Sequence, residues 1–436
     1  MVAVSFQALT DALAGVVGKD RLLTDSASLA RCAVDGVLPA WVVQPRGVDD
    51  VSGLLKLAAE ERLAVVPRGS GTLMGLGNPP RRLDGILDLS GLAGVVDYEP
   101  ADLTATVQCG VPLAALAAKL AAQRQFFPLD PLDGSSRSVG GVLATNTSGP
   151  LRYRYGTPRD LLLGVRFVQA DGTVTWGGAR VVKSVTGYDI PKLMVGSLGT
   201  LGVLVEATLR LHPVPEAERT WVVTFPTAHR AAGLLAAILD SSLQPTRLEI
   251  LSGTAAVGRS AGTAAVAVSF GSVPEAVTAQ GEDLVAIARG EGARVVTAEG
   301  DFWSRPWGFL AGAPVVLKVA APPSEAAALC GEIQGLATGI GITAGILGEA
   351  GNGILHVALT CTLSAAEWDP RVIGPLRARV APAGGSVVVE RAPREVKERL
   401  DVWGPVEPET LALMNRLKSE FDPLGTLNPG RYVDRI

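Results

Sequence analysis

Cysteine and histidine are both scarce in this 436-residue chain. The four cysteines, Cys32, Cys109, Cys330 and Cys361, are scattered and none forms a C-x-x-C pair. That pattern offers neither an iron–sulfur cluster nor a structural zinc site. It predicts reduced, mostly buried thiols in a cytosolic protein. The three histidines, His212, His229 and His356, leave few places for chemistry that needs an imidazole. Long apolar runs are also missing: the nearest, residues 337–348, is short, glycine-rich and ends at Glu349, so it reads as a buried core segment and not a membrane span. The start Met1-Val2-Ala3-Val4 has no basic stretch, which predicts no secretory signal. A formal net charge of -4 argues against a nucleic-acid partner. No internal repeat and no low-complexity tract is visible.

What the chain does have is apolar residues (47%) and glycine (51 residues) in a length sufficient for two or three domains. From Ala33 to about Pro215, strands and helices alternate. Residues 48–62 read as a helix capped by Asp49 or Asp50, with Val51, Leu54, Leu55 and Ala58 on one face. Strands follow at 63–66, 86–89, 95–98 and 104–107, then an alanine-rich helix at 112–125 with Pro112 near its first turn. Residues 163–170 and 173–176 form a hairpin about Asp171-Gly172, and 201–211 is another strand. Beyond Pro213-Val214-Pro215, strands at 221–225, 247–251, 264–270, 315–320 and 356–360 mix with helices at 228–239, 277–289 and 324–336. That order predicts an α+β domain on an antiparallel sheet. An amphipathic helix at 407–421 and an ordered turn at 422–430 end the chain.

Three regions of small residues stand beside predicted strands. The first is Pro67-Arg68-Gly69-Ser70-Gly71-Thr72-Leu73. Glycine permits positive φ and close approach, and successive N–H groups in such a turn form an anion-binding nest. By itself the turn suits a phosphate and a plain structural loop equally. The second runs Ser136-Arg137-Ser138-Val139-Gly140-Gly141-Val142-Leu143-Ala144-Thr145-Asn146-Thr147-Ser148-Gly149, after Pro128-Leu129-Asp130. The third joins Lys183-Ser184-Val185-Thr186-Gly187-Tyr188-Asp189 to Gly196-Ser197-Leu198-Gly199-Thr200-Leu201-Gly202-Val203. Together they look like walls around one extended ligand. Arg152, Arg154 and Arg159 suit either phosphate charge or a solvated surface.

In this order the motifs resemble the FAD-binding domain of the vanillyl-alcohol oxidase/PCMH flavoprotein superfamily over residues 33–215. The tail Phe421-Asp422-Pro423-Leu424-Gly425-Thr426-Leu427-Asn428-Pro429-Gly430 is similar to the family's C-terminal signature. The resemblance implies an α+β fold: a PCMH-type FAD-binding domain at 1–215, of two subdomains split near 90–100, a ferredoxin-like antiparallel cap or substrate domain at 216–395, and a C-terminal segment at 396–436 that returns to the FAD domain. It implies that the turn from Pro67 to Leu73 holds the pyrophosphate of FAD. Pro128 and Asp130 would lie near the flavin. Ser138, Val139, Gly140, Gly141, Ala144, Asn146, Ser148 and Gly149 would line the flavin and its linking chain. Gly196, Gly202 and Val203 would pack near the adenosine, and Asn428 would return toward the isoalloxazine. No histidine lies in the glycine-rich segments, so the FAD is expected to be non-covalent.

Within the superfamily the chain resembles the 2-hydroxyacid dehydrogenases. The runs Glu390-Arg391-Ala392-Pro393-Arg394 and Asp401-Val402-Trp403-Gly404-Pro405 look most like GlcE, the smaller FAD-binding subunit of bacterial glycolate oxidase. Single-chain relatives carry HxGDGNxH and a later EH pair, which bind a divalent metal. Here Glu349 stands at the first histidine, His356 survives at the second, and the pair is Glu390-Arg391. One histidine and two carboxylates suit a metal, but the positive charge of Arg391 opposes one, so no metal is expected. Arg391 and Arg394 become the candidates for a substrate carboxylate, with Lys318 and Arg247 as weaker ones. His356 suits either the base that takes the hydroxyl proton or a satisfied core histidine. The expected activity is oxidation of glycolate or D-lactate within a complex, with a larger FAD subunit and an iron–sulfur subunit as partners. The expected place is the cytoplasm, or the inner membrane face through that complex. The alternatives are a self-sufficient oxidase of another hydroxy acid or alcohol, and an inactive flavin-bearing structural subunit.

Overall fold

The computed structural model describes residues 6–132, 134, 136–179, 187–256, 263–304, 307–360 and 363–436. Cys361 and the stretch Lys183 to Thr186 lie outside the described residues. Four strands, β1 (Leu22–Leu23), β2 (Trp41–Val43), β3 (Val65–Arg68) and β4 (Gly85–Asp88), form a first sheet ordered β1-β2-β4-β3. The helix Val48–Glu60 crosses from β2 to β3 and buries Val51, Leu54, Leu55 and Ala58 against that sheet. Gly47, and neither expected aspartate, is its N-cap. Asp50 instead accepts a hydrogen bond from the Arg46 N–H at 2.7 Å. Parallel β3 and β4 are adjacent, and the link between them is the glycine turn.

The next strands are β5 (Val95–Glu99), β6 (Thr104–Gln108), β7 (Gln125–Phe126), β8 (Leu162–Val168), β9 (Val174–Gly178), β10 (Val203–Arg210) and β11 (His212–Pro213). Five form an antiparallel sheet ordered β5-β6-β10-β8-β9, while β7 pairs with β11. The β8–β9 hairpin turns at Asp171-Gly172, where Gly172 has φ +85° and Asp171 accepts from the Thr173 N–H at 2.8 Å.

The remaining strands are β12 (Ala217–Phe225), β13 (Arg247–Gly253), β14 (Ala264–Ser272), β15 (Arg294–Thr297), β16 (Val315–Ala320), β17 (Thr343–Glu349), β18 (Ile354–Thr360) and β19 (Ser386–Arg391). They form one antiparallel sheet ordered β15-β12-β14-β13-β17-β18-β16-β19. Its halves are two copies of the same βαββαβ, ferredoxin-like unit. In each, the order is fourth, first, third, second, and the two second strands, β13 and β17, pair at the centre. The structure thus contains a repeat that the sequence hides. Helices Ala232–Leu239, Pro274–Gly290, Ala326–Gly339 and Gly374–Val380 cover one face. The other face packs against Leu132 of the N-terminal domain. The glycine-rich run before Glu349 is strand β17, buried on both faces, which is why it shows no polar alternation.

The final helix, Pro408–Phe421, is followed by a tail that returns to the first sheet. Leu427 bridges Val65 in parallel, Val65 N–H donates to Thr426 O at 2.7 Å, and Asn428 N–H donates to Val65 O at 3.1 Å. No helix among the described residues is long and apolar enough to cross a membrane.

Candidate functional site

One cleft of two lobes runs between the flavin-side sheets and the bare face of the cap sheet. Thr72, Leu73, Arg137 and Thr145 line both lobes. The first lobe is walled by Pro67 to Met74, by Ser138, Gly140, Gly141 and Ala144, by Leu198, Gly199 and Gly202, and by Asn428 and Arg431. Two close approaches explain its glycines. A Cβ on Gly69 would land on Ser138 Oγ, and one on Gly140 would sit 2.7 Å from Cys109 Cβ. Gly71, at φ +76°, supplies a left-handed turn residue. Arg68 belongs to β3, where its Nη1 donates to the buried Asp88 at 2.9 Å across the register pair Arg68↔Asp88. It braces the turn from behind.

The tail closes this lobe. Asn428, itself at φ +49°, donates through Nδ2 to Leu198 O at 2.6 Å. Arg431, fully buried, donates to the carbonyls of Met74 (2.5 Å) and Leu76 (2.7 Å). Nothing in the residue pattern marked Arg431 out. Arg137 sat within the glycine segment as a lone charge among small residues, and that oddity was a usable signal. It is buried, donates to Leu132 O at 2.8 Å and reaches both lobes.

The second lobe is walled by Asn146 and Ser148 on the flavin side and by Val316, Lys318, Glu349, His356, Glu390 and Arg391 on the cap side. Antiparallel pairing brings these together. Lys318 faces His356 directly across β16–β18, and Glu249 faces Glu349 across β13–β17. His356 Nδ1 lies 3.1 Å from Glu390 Oε2. Burial raises the Glu390 carboxyl, but the His356 charge and hydrogen bond, with Lys318 and Arg137, outweigh it and bring it down to about 2. An ionised Glu390 only accepts, so Nδ1 carries the proton of this contact, and Nε2 is the ring nitrogen left for a substrate. Glu249 and Glu349 behave oppositely. Burial, reinforced for Glu249 by its neighbour Glu349, pushes both carboxyls above their usual range.

Several expected residues lie elsewhere. Arg394 is exposed on the helix Arg394–Lys397 and pairs with Glu398 at 2.7 Å, one turn on. Arg391 lines the lobe, but its Nη1 is spent on the carbonyls of Leu310 (2.7 Å) and Ala311 (3.1 Å). Arg247 is buried between Asp130 (3.0 Å), Glu218 and the Trp303 ring, so it ties the two domains together and is closed to a substrate. Asp130 meets Arg247 and the Leu151 N–H, and a Cβ on Gly149 would strike its backbone. Pro128 is buried outside the cleft lining, and Val139 and Val203 are core residues. Gly196 lines a small pocket beside the final helix.

An elongated cradle with a glycine nest at one end suits a dinucleotide. Asn146 Oδ1 supports that fit, being a buried acceptor in the wall with no partner in the protein. Residues 39–178 match the family described as "FAD binding domain", and residues 214–432 match "FAD linked oxidases, C-terminal domain". The chain therefore belongs to the FAD-linked oxidases of the PCMH-type flavoprotein superfamily, and it is an FAD-dependent oxidoreductase. It is 28% identical over 424 residues to glycolate oxidase subunit GlcD of Bacillus subtilis, covering 90% of this chain and 89% of that one. It is 29% identical to D-lactate dehydrogenase of Archaeoglobus fulgidus, covering 91% of each. The C-terminal runs point to GlcE, whereas the relative found is GlcD; the superfamily is the same. The fold is shared with 4-ethylphenol oxidase from Gulosibacter chungangensis, with a TM-score of 0.76 at 17% identity, covering 99% of this chain and 98% of that one.

Proposed function

We propose that this chain oxidises a 2-hydroxy acid to the 2-oxo acid, with His356 as the base and Lys318 as the anchor of the substrate carboxylate. The observation that carries this reading is the His356–Glu390 couple, set in the cleft wall with an ammonium directly across the strand pair. Bound FAD supplies the acceptor for the hydride that leaves the carbinol carbon. His356 Nε2 takes the hydroxyl proton, and Glu390 holds the imidazolium that results. Lys318 binds the carboxylate and so fixes which hydrogen faces the flavin. Arg137 adds positive charge at the junction of the lobes. The relatives active on glycolate and D-lactate support a substrate of this class. That the glycolate oxidase relative is named a subunit supports assembly with partners, and on this reading a larger flavin subunit and an iron–sulfur subunit that accepts the electrons are the partners expected. The absence of histidine from the glycine-rich segments supports a non-covalent flavin.

Anaerobic stopped-flow mixing with glycolate and D-lactate tests this. The His356→Asn variant should retain its flavin but bleach about 10²–10⁴-fold more slowly. An unchanged rate removes His356 from the chemistry. Bleaching by the isolated chain excludes the inactive-subunit alternative, and bleaching only after addition of a larger flavin subunit favours the complex.

A further inference from the structure

A larger space adjoins the second lobe. It lies between the helix Leu113–Ala121 and residues 126–132 on the flavin side and Trp303, Ser304, Trp307 and Ala311 of the cap, and offers about 730 Å³. Phe127, Leu129, Leu132 and Trp307, all buried, together with Trp303, give it walls of hydrocarbon and rings. Among the described residues, the two ionisable groups on its wall are both engaged: Asp130 with Arg247 and the Leu151 N–H, and Arg391 with two carbonyls. Trp303 is held in place, its Nε1 donating to Thr220 Oγ1 and Ser269 Oγ at 2.8 Å each. Leu132 and Arg391 line this chamber and the catalytic lobe alike, so the two spaces are neighbours across these two side chains. Glycolate carries hydrogen, and lactate a methyl, on the carbon bearing the hydroxyl. Neither reaches an apolar chamber of this size.

We propose that the chamber receives the substrate's side chain, and that the preferred substrates are 2-hydroxy acids bearing an apolar chain of several carbons or an aryl ring. This rests on the hydroxy-acid reading above and names its substrate class. A fixed aromatic wall needs no ordering on binding, and each methylene taken from water is worth up to about fourfold in kcat/KM.

The test is anaerobic flavin reduction of the holoprotein by glycolate, lactate, 2-hydroxyhexanoate, 2-hydroxyoctanoate and mandelate. Expected is a rise of about tenfold or more in kcat/KM from lactate to 2-hydroxyhexanoate. Ala117→Phe and Ala114→Phe, at the solvent-exposed mouth of the chamber, should each abolish that rise and leave the glycolate rate unchanged. A flat series, or a rise that survives both substitutions, overturns the proposal. Octanoate, which has no hydroxyl, gives a second readout through tryptophan fluorescence. Quenching by octanoate and not by acetate, lost in Ala117→Phe, shows apolar-chain binding even if every hydroxy acid fails to bleach the flavin; that pattern sinks the hydroxy-acid reading alone. No selective quenching overturns the chamber itself.

Discussion

His356 stands between carboxylates that the same sheet face drives in opposite directions. Glu390 is ionised because its cationic neighbours outweigh its burial. Its contribution to stability is present above the ordinary carboxylate range and is lost as pH falls through about 2. Glu249 and Glu349 sit opposite each other in a dry sheet, and neither Glu249 oxygen has a hydrogen-bond partner. Their raised carboxyls bind protons more tightly folded than unfolded, so they erode stability as pH rises above the ordinary carboxylate range. Glu249→Gln should therefore raise the melting temperature near about pH 8 and leave it little changed near about pH 4, each relieved pKa unit being worth about 1.4 kcal/mol. Thermal unfolding of the holoprotein at both pH values checks this, and a lower melting temperature near neutrality would contradict it. Glu390→Gln removes the acceptor for the imidazolium and should slow flavin reduction by about tenfold or more. The histidine was visible in the sequence by its scarcity and by its place at the second histidine of the HxGDGNxH-like segment. The pairing of Glu249 with Glu349 was not, because it is set by the register of two strands a hundred positions apart.

Two connecting elements place the site, and each has one residue on which it depends. The turn after β3 depends on Gly69, since a methyl group there collides with Ser138 Oγ in the facing segment. Gly69→Ala should purify with sharply reduced flavin, measured by the ratio of flavin to protein absorbance, while the first sheet persists in circular dichroism. The cap depends on Arg247, which reaches Asp130 at 3.0 Å from the far side of the domain boundary. Breaking such a pair leaves the half-buried Asp130 carboxylate with only the Leu151 N–H, and Arg247→Met should cost about 1–3 kcal/mol. The loss should appear first as faster hydrogen exchange in residues 126–132, and unchanged exchange there would contradict the assignment. The glycine turn was legible because each close approach forbids a side chain, and that leaves a mark in the residue type. The role of Arg247 was not, because an arginine on a strand looks the same whether it meets substrate, solvent or the neighbouring domain.

At the scale of the molecule, a glycine-lined cradle and a charged sheet face come from different halves of the chain and meet in one cleft. The cradle was largely readable, since its three small-residue segments and the returning tail lie beside strands that the pattern predicts. The cap was readable only as an antiparallel α+β unit. Its doubling into two βαββαβ copies escaped notice because both faces of the central strands are buried, which replaces polar alternation with near-continuous apolar runs. Glu349 and Arg391 were visible as departures from the motifs that the resemblance led one to expect. The structure adds what stands there instead: a histidine held by Glu390, a lysine across the strand, and Arg391 bracing the wall of an apolar chamber. The most direct test of the central claim is to mix the purified flavin-loaded chain with a 2-hydroxy acid in the absence of oxygen and follow its visible flavin band. The account predicts bleaching in the wild type, slowed at least a hundredfold by His356→Asn, in keeping with the about 10²–10⁴ carried by a general base. A flavin that dithionite reduces but no 2-hydroxy acid does would contradict it.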